Sequence, residues 1–181
     1  EKPANPPSDF ASMTVYMFRT EVLAARVREN ARTGRTFQLY GEVIPEIVQQ
    51  SRVQGYVFDG AWEYVRPLVA YHDAHMRLVS PEGLGVPMDS VLTNLNQRSL
   101  GDASPAWMDS GSRLSRSLVA PGCRISGSVC HSVLFPCVEV DADASVLDSV
   151  VLGRTRIGKG ARVHGAVIDK NVIIGAGAVI D

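Results

Sequence analysis

The C-terminal part of the chain carries a repeating pattern of large aliphatic side chains. Four stretches begin at residues 117, 132, 149 and 166, so their starts are 15, 17 and 17 residues apart. In each stretch an aliphatic residue occupies the third position, and another follows six residues later. An amphipathic helix does not produce a period of six residues. The aliphatic series comprises Val119, Ile125, Leu134, Val140, Val146, Val151, Ile157, Val163, Ile168, Ile174 and Ile180.

A second pattern runs in phase with the first. Three six-residue segments per coil predict a triangular parallel β-helix, with the aliphatic side chains inside and the small ones at the tight corners. Gly158 and Gly175, each directly after an isoleucine, are expected to serve the bends. The small or moderately sized side chains stand two residues before each aliphatic position, and they are Ser117, Cys123, Ser132, Val138, Ala144, Ser149, Thr155, Ala161, Ala166, Val172 and Ala178.

The first 80 residues show mixed α and β periodicity instead. Alternating apolar positions rich in β-formers predict strands, and apolar positions at helical spacing predict helices. A stretch rich in Gly, Pro, Ser and Asp follows and predicts a linker or an extended crossover. The predicted strands are 12–18 and 53–59, the predicted helices are 20–31, 40–50 and 67–79, and the predicted domains are 1–80, a linker at 81–112 and a β-helix at 113–181.

Three details of the helices follow from the same residues. Thr20 is expected to cap the first helix, and Pro45 to start or interrupt the second. The third predicted helix begins with Pro67, and proline is favoured in the first turn of a helix. The apolar stripe of this third helix is expected to pack into a core, and it consists of Leu68, Tyr71, His75 and Met76.

Composition and charge narrow the classes of function. The net charge of −1 gives no electrostatic support for binding nucleic acid or an anionic membrane. No apolar run approaches the roughly 18–20 residues of a membrane span. The three cysteines, Cys123, Cys130 and Cys137, are odd in number and lack the spacing of a zinc site, which favours free thiols and a reducing cytoplasm.

Several motifs, in order, resemble the glucose-1-phosphate adenylyltransferase (ADP-glucose pyrophosphorylase) family. They are EKPANPP followed by FASMTVYMF, then SLVAPGCRISGSVCHSVLF, then AVIDKNVIIGAGAVI. The resemblance covers essentially all 181 residues and is weakest between 81 and 110. It implies an α/β remnant of a nucleotidyltransferase domain followed by a left-handed parallel β-helix of hexapeptide repeats. It also implies the reaction of ATP with glucose 1-phosphate to ADP-glucose and pyrophosphate, in glycogen or starch synthesis, with Mg²⁺.

The resemblance carries site residues with it. Glu1 and Lys2 take the family's EKP positions, where the lysine contacts the phosphate of glucose 1-phosphate, and Ser12 takes the position of a serine that touches the sugar. The family's β-helix mediates tetramer contacts and helps to form an allosteric site for phosphorylated metabolites. No catalytic residue or metal ligand is carried over, and no metal is expected on this chain. The candidate effector-binding residues are Arg154, Arg156, Lys159, Arg162 and Lys170.

The sequence departs from the family around the active site. The family's second metal-binding aspartate falls on Tyr64, with Glu63 beside it, and the family's HDFG loop becomes FQLY at 37–40. The family's nucleotide loop and first metal aspartate lie upstream of EKP, so the chain is expected to be a C-terminal portion that cannot transfer adenylyl groups by itself. Both a working enzyme and a non-catalytic regulatory subunit therefore stay open.

Two further classes compete with this interpretation. A hexapeptide-repeat acyltransferase would use a histidine as base, and His131 and His164 are the candidates, although both are expected to face outward. A purely structural module would use the coils for subunit contacts alone. Repeat arrays need caps at their ends, so we expect oligomerisation through the coils in either case.

Overall fold

The computed structural model describes residues 8–33, 36–83, 85 and 104–181. The chain divides into two compact units, 1–59 and 60–181. Within the described residues, the first unit contains short helices, and the second contains one helix and a three-sided parallel β-helix. The predicted parallel β-helix in the C-terminal part of the chain is confirmed.

Fourteen short strands form the three sheets of the β-helix. Face A consists of β1, β4, β7, β10 and β13, face B of β2, β5, β8, β11 and β14, and face C of β3, β6, β9 and β12. Every pairing between neighbouring strands is parallel. The strands are β1 Trp107–Met108, β2 Arg113–Ser115, β3 Leu118–Val119, β4 Arg124–Ile125, β5 Ser128–Cys130, β6 Val133–Leu134, β7 Glu139–Val140, β8 Ser145–Leu147, β9 Val150–Val151, β10 Arg156–Ile157, β11 Arg162–His164, β12 Val167–Ile168, β13 Ile173–Ile174 and β14 Val179–Ile180.

The interior of the prism is filled by the predicted aliphatic series. All of its members are buried in one core except the first and the last, Val119 and Ile180, which are partly buried against it. Strands in register place equivalent residues on top of one another, as Ile157 lies between Val140 and Ile174. The stacking excludes water from a continuous column of side chains, which is the main favourable term for such a repeat.

The first coil is two residues shorter than the next, and the six-residue series missed one of its interior positions. Val129 pairs in register with Val146 and is buried, although it follows Ile125 by only four residues. The corner position before it is Gly127, where a Cβ atom would overlap the carbonyl oxygen of Ala144. Glycine is therefore required here by close approach of two backbones rather than by an unusual dihedral angle.

The parallel sheets also begin earlier than the repeat pattern indicated. Trp107 and Met108 pair with Arg124 and Ile125, so β1 lies inside the range 81–112 that was predicted as a linker. Residues 84 and 86–103 of that range lie outside the described residues. The domain boundaries remain predictions.

Each corner of the prism carries a column of residues with left-handed backbone conformation. Between faces B and C the column includes His131 (φ 46°) and Asp148 (φ 47°), and between faces C and A it includes Arg154 (φ 58°). Gly160 and Gly177 belong to the column between faces A and B. L-residues other than Gly, Asn and Asp rarely adopt this conformation, so the corners hold backbone strain that the stacked sheets must offset.

In the described part of the chain, three helices precede the sheets: α1 Thr20–Arg32, α2 Ile44–Gln50 and α3 Leu68–Leu78, with a π-helical turn at Leu39–Val43. Pro45 stands in the first turn of α2, as predicted. The prediction that Thr20 caps α1 is wrong, because Arg19 occupies the cap position and Thr20 is the first helical residue.

The two predicted strands of the first unit are also wrong. The structure contains no strand in residues 8–33 or 36–59. A strand needs a neighbour to complete its ladder of hydrogen bonds, and neither stretch pairs with another. Their apolar side chains remain exposed, as Met17 (99%) and Tyr56 (89%) show.

Candidate functional site

Helix α3 packs across face C of the β-helix. Met76 joins Val133 and Val150 in a buried cluster, against which Tyr71 and Phe135 are partly buried. The predicted core stripe of α3 is thus confirmed for Met76. It is wrong for Leu68, the first residue of α3, whose side chain is 67% exposed.

Aromatic stacking extends this contact. The rings of Tyr71 and His75 lie 4.3 Å apart, and the ring of His75 lies 6.0 Å from that of Phe135. One ring nitrogen of His75, Nδ1, contacts the carbonyl oxygen of Tyr71 at 2.8 Å. The contact between His75 and Phe135 adds aromatic packing to the interface between α3 and the β-helix.

A polar cluster closes the edge where α3 meets the corner between faces B and C. His131 Nδ1 lies 2.5 Å from Asp148 Oδ1, and His164 Nε2 lies 3.4 Å from Asp148 Oδ2. From α3, His72 Nε2 contacts the backbone carbonyl oxygen of Asp148 at 2.7 Å. His164 Nδ1 also contacts Asp181 Oδ1 at 2.7 Å.

The sequence analysis missed this cluster as a unit. His72 and Asp148 are 76 residues apart, and nothing in the six-residue pattern marks a corner residue as a partner of α3. Hydrogen bonding to Asp181 is the main cause of the raised pKa of His164, and the charges of Asp181 and Asp148 add to it, whereas desolvation acts against it. Histidines are the side chains that such neighbours shift across neutral pH.

The two predicted acyltransferase candidates are therefore engaged by other groups. His164 is exposed on face B but lies between two carboxylates. His131 faces outward from the prism, as predicted, but its side chain is only 18% exposed because Asp148 and Ser80 contact its two ring nitrogens. Neither histidine has a ring nitrogen free of a partner.

The predicted sugar-phosphate residues all belong to the first unit. Glu1 and Lys2 fall outside the described residues. Ser12 is exposed, and its hydroxyl oxygen accepts a hydrogen bond from the backbone N–H of Thr14 at 3.2 Å. It also lies 3.1 Å from the hydroxyl of Tyr16. Its role toward a sugar stays a prediction.

The stretch that replaces the family's metal aspartate does not suit Mg²⁺. Its one carboxylate, Glu63, forms an ion pair of 2.5 Å with Arg77 of α3. Tyr64 is half exposed and packs its ring 6.3 Å from that of Trp62. Mg²⁺ prefers free carboxylates, and across the described ranges no group of three or more His, Cys, Asp or Glu side chains is arranged to hold a metal ion.

The FQLY stretch, which replaces the family's HDFG loop, leads into the π-helical turn. Phe37 has a left-handed conformation (φ 60°) and is exposed. Behind it, Glu42 accepts hydrogen bonds from the buried amide of Asn30 at 2.8 Å and from the hydroxyl of Thr36 at 2.6 Å. This bonding ties the stretch to α1.

The five candidate effector-binding residues do not all share one face. Arg156 points outward from face A, where it bonds Asp141 at 3.0 Å, an interaction that raises the pKa of its guanidinium. Lys159 stands at the corner between faces A and B, and Arg162 on face B.

Two of the five come together at the corner between faces C and A. Arg156 pairs in register with Ile173, which places Arg154 opposite Asn171 and next to Lys170 on consecutive coils. An open groove beside this corner is lined by Arg66, Leu152 and Asp169, among others.

No helix within the described residues is long and apolar enough to cross a membrane.

Comparisons with known proteins agree with the order of the two structural parts. The nucleotidyl transferase family model matches residues 1–114, and the model of the GlmU-like C-terminal hexapeptide matches residues 106–181. The junction between the two matches falls at β1 and β2, where the parallel sheets begin.

Curated relatives at 30–34% identity carry one name. The chain is 34% identical to a glucose-1-phosphate adenylyltransferase of Corynebacterium jeikeium, over 99% of this chain and 49% of that protein. It is 34% identical to one of Acetivibrio thermocellus, over 97% and 41%, and 31% identical to one of Bacillus cereus, over 99% and 48%. The chain thus spans about half the length of the curated relatives it matches. It belongs to the nucleotidyl transferase family, and its predicted resemblance to the glucose-1-phosphate adenylyltransferases is confirmed.

Proposed function

We propose that the protein acts in adenylyl transfer from ATP to glucose 1-phosphate, yielding ADP-glucose and pyrophosphate for glycogen or starch synthesis in the cytoplasm. The observation that carries this proposal is the agreement with glucose-1-phosphate adenylyltransferases along 97–99% of the chain. Along the chain, the nucleotidyl transferase match precedes the hexapeptide match.

In this reaction a phosphate oxygen of glucose 1-phosphate attacks the α-phosphorus of ATP, and pyrophosphate leaves. Catalysis of such a step depends on positioning and on neutralising the phosphate charges. We assign Lys2 to the phosphate of glucose 1-phosphate, Glu1 to the same pocket, and Ser12 to the sugar. A divalent metal, which the family implies, would draw on residues other than the stretch around Tyr64, since Glu63 is engaged by Arg77.

The test of the reaction is direct. The gene product that contains this chain is incubated with ATP, glucose 1-phosphate and Mg²⁺, and ADP-glucose is measured. We expect formation of ADP-glucose and a loss of at least tenfold in Lys2→Ala, since a charge-assisted hydrogen bond to phosphate is worth about 1.5–3 kcal/mol. Ser8→Ala is the control near the same terminus. Absence of product with the purified gene product alone contradicts a self-sufficient enzyme.

A non-catalytic regulatory subunit is the second candidate. The Glu63–Arg77 ion pair favours this candidate. Glu63 is the carboxylate next to Tyr64, where the family has its second metal-binding aspartate, and Arg77 already engages it. In that case the gene product alone is inactive and raises the activity, or changes the effector response, of a catalytic glucose-1-phosphate adenylyltransferase with which it is mixed. No change in either property contradicts this candidate.

We further propose that the β-helix carries subunit contacts and an anion-responsive surface. Hexapeptide β-helices associate through their coils, and a homo- or hetero-tetramer is the expected assembly. Arg154 and Lys170 stand one position apart in register on consecutive coils at one corner, which supports binding of a phosphorylated metabolite there. Sedimentation velocity tests the assembly. Thermal shift with fructose 1,6-bisphosphate tests anion binding, with Arg154→Gln as the variant and Arg113→Gln, an exposed arginine of face B outside the candidate set, as the control.

A further inference from the structure

Ser80, His131 and Asp148 form a line of polar contacts at the edge where α3 meets the β-helix. The Oγ atom of Ser80 lies 3.1 Å from Nε2 of His131, and Nδ1 of the same ring lies 2.5 Å from Oδ1 of Asp148. Each ring nitrogen of His131 thus has one partner, a hydroxyl on one side and a carboxylate on the other. A hydroxyl, an imidazole and a carboxylate joined in this order through these atoms are the arrangement of a serine hydrolase triad.

The carboxylate determines which nitrogen of the ring carries the proton. An ionised carboxylate only accepts hydrogen bonds, so Nδ1 of His131 donates to Asp148. The neutral ring then has its lone pair on Nε2, which faces the hydroxyl of Ser80. An imidazole in this tautomer can take the proton of the serine, and the carboxylate stabilises the positive charge that the ring gains.

The hydroxyl of Ser80 has one proton and two acceptors within reach. The carbonyl oxygen of Met76 lies 2.8 Å from Oγ, and Nε2 of His131 lies 3.1 Å from it. Rotation about the Cβ–Oγ bond moves the proton from one acceptor to the other while the heavy atoms stay in place. The serine is therefore held by its own helix at rest and needs only this rotation to donate to His131.

Backbone hydrogen bonds hold both the serine and the histidine in position. The N–H of Ser80 donates to the carbonyl oxygen of Arg77 at 3.2 Å, and the carbonyl oxygen of Ser80 accepts from the N–H of Gly83 at 3.1 Å. The N–H of His131 donates to the carbonyl oxygen of Ser115, one coil before it, at 3.0 Å. Groups that are fixed in the reactive geometry lose little freedom when a substrate binds.

The two side chains can be reached from solvent, although the space beside them is limited. Ser80 is half-buried, and the side chain of His131 is 18% exposed. Met76, four residues before Ser80, packs on face C, so the helix and the sheet border the hydroxyl from two sides. A small acyl group such as acetyl fits this limited exposure better than a long or branched one.

Arg116 adds positive charge at the same corner. Ser115 pairs in register with Cys130, which places Arg116 beside His131 on the preceding coil. Arg116 is exposed and forms no ion pair with a described residue. A positive charge in this place favours the negative charge that the carbonyl oxygen of an ester gains when a nucleophile attacks its carbon.

We propose that Ser80, His131 and Asp148 form a further reactive site, in which Ser80 is acylated by small carboxylic esters. The Oγ atom of Ser80 attacks the carbonyl carbon of the ester while its proton passes to Nε2 of His131. The bond between that carbon and the leaving oxygen then breaks, the oxygen takes the proton from Nε2, and an alcohol leaves. An acyl-serine remains.

Water completes the cycle in the same way. It attacks the carbonyl carbon of the acyl-serine and gives one proton to Nε2 of His131. The bond to Oγ breaks, Ser80 regains its proton from Nε2, and a carboxylic acid is released. Asp148 touches neither the ester nor the serine, so it is a positioning residue for the imidazole.

This site goes beyond the proposed adenylyl transfer and does not depend on it. Ser80 lies in the region that matches the nucleotidyl transferase model, whereas His131 and Asp148 lie in the region that matches the hexapeptide model. The site therefore forms only where the two regions meet. It also differs from the acyltransferase hypothesis, in which a histidine alone serves as base, because here a serine of the chain accepts the acyl group.

Acetylation by p-nitrophenyl acetate tests the site in the 181-residue chain. At about pH 8, where an ordinary imidazole is neutral, we expect release of p-nitrophenolate and an acetyl group on Ser80, which mass spectrometry of acid-quenched samples locates. In Ser80→Ala the part of the release that depends on this site is lost. In His131→Gln the rate of acetylation of Ser80 falls about a hundredfold, the lower end of what a general base contributes.

Two matched controls separate the site from general reactivity. His75 lies on α3, but its one polar contact is to the carbonyl oxygen of Tyr71, so His75→Gln must keep the rate of the parent chain. Ser112 donates to the carbonyl oxygen of Asp109 and has no imidazole beside it among the described residues, so it must stay unacetylated. Thermal unfolding of each variant shows whether it is folded.

A measurement on the parent chain does not depend on any variant. The nitrogen chemical shifts of His131 should show the proton on Nδ1 and the lone pair on Nε2 at about pH 8. In Asp148→Asn this tautomer should be partly lost, and acetylation of Ser80 should fall at least about tenfold. This variant is expected to fold, because asparagine tolerates the left-handed conformation of this corner.

Several results would overturn the proposal. They are release of p-nitrophenolate that is unchanged in Ser80→Ala, acetylation of Ser80 that is unchanged in His131→Gln or lost in folded His75→Gln, acetylation of Ser112 as fast as that of Ser80, and a neutral His131 ring with its proton on Nε2.

Discussion

The hydroxyl of Ser132 accepts a hydrogen bond from the backbone N–H of Ser149, which stands one coil further along, at 3.1 Å. The same hydroxyl donates to the carbonyl oxygen of Cys130 at 2.7 Å. Ser117 accepts from the N–H of Ser132, and Ser149 accepts from the N–H of Ala166, both at 3.1 Å. The serines thus form a hydrogen-bonded ladder along the corner between faces B and C, and the ladder ends at Ala166.

Ser149→Ala is expected to destabilise the chain by about 1–3 kcal/mol. Ser149 is fully buried, so the substitution leaves the N–H of Ala166 without its partner and removes one of the two donors to the carbonyl oxygen of Leu147, which keeps the N–H of Gly165. Urea unfolding followed by circular dichroism measures the loss. Ser145→Ala, on the outward side of face B, is the control and should change the free energy of unfolding by less than about 0.5 kcal/mol. Equal effects of the two variants contradict the ladder.

Ile157→Ala is expected to cost about 2–5 kcal/mol, since Ile157 is fully buried between Val140 and Ile174 and its truncation leaves a cavity. Ile173→Ala provides the same chemical change on an outward position, because Ile173 is 79% exposed. That variant should stay within about 0.5 kcal/mol of the parent chain. The free energies of unfolding of the two variants are compared. Similar losses would contradict the assignment of Ile157 to the interior of the β-helix and of Ile173 to its outside.

Gly165→Ala is expected to destabilise the chain by about 1 kcal/mol because Gly165 has a left-handed conformation (φ 61°). A Cβ atom at Gly165 would meet nothing within 4 Å, so the cost comes from the backbone alone. Gly175 also has open space around it but lacks a positive φ. Gly175→Ala should therefore leave the melting temperature unchanged or raise it slightly. A drop of equal size in both variants contradicts this explanation.

Burial raises the pKa of the Cys123 thiol, which donates a hydrogen bond to the carbonyl oxygen of Phe135 at 3.2 Å. A raised folded-state pKa means that its stabilising contribution is present below the unfolded pKa of about 8.5 and is lost as the pH rises above it. The free energy of unfolding should therefore fall between about pH 7.5 and pH 9.5, and less so in Cys123→Ala.

Alkylation by iodoacetamide gives an independent measurement of the same burial. Cys123 is 1% exposed, whereas Cys130 and Cys137 are half-buried. The thiolate is the reactive form, so Cys123 should react last, with a rate that tracks unfolding. Labelling of Cys123 at the rate of the other two thiols contradicts its position in the core.

The β-helix could be predicted from the sequence because its interior repeats at a fixed local spacing. Each coil places Ile125, Val140, Ile157 and Ile174 at equivalent positions, and a buried position tolerates only an apolar side chain of suitable size. Local chemistry alone was enough for this conclusion. The family was recognised in a different way, from the resemblance of several motifs, two of which lie before the β-helix.

The predictions failed where the outcome depended on distant partners. Val129 was missed because the first coil is shorter, and the parallel register with Val146 alone identifies it as an interior residue. The stretches at 12–18 and 53–59 have the composition of strands, but a strand forms only when another strand completes its hydrogen bonds. The alternation of apolar residues indicated that these stretches can form strands, but not that a partner strand is present.

By itself, the sequence determined the six-residue period, the buried column and the family. Each of them can be recognised from short stretches of consecutive residues. Only the tertiary structure decided that α3 covers face C and that His72, His131 and His164 meet at Asp148. A helical pattern states which side of a helix is apolar, but not which sheet it covers. Contacts between residues 76 positions apart arise from the way the two elements pack, and packing depends on all of their side chains together.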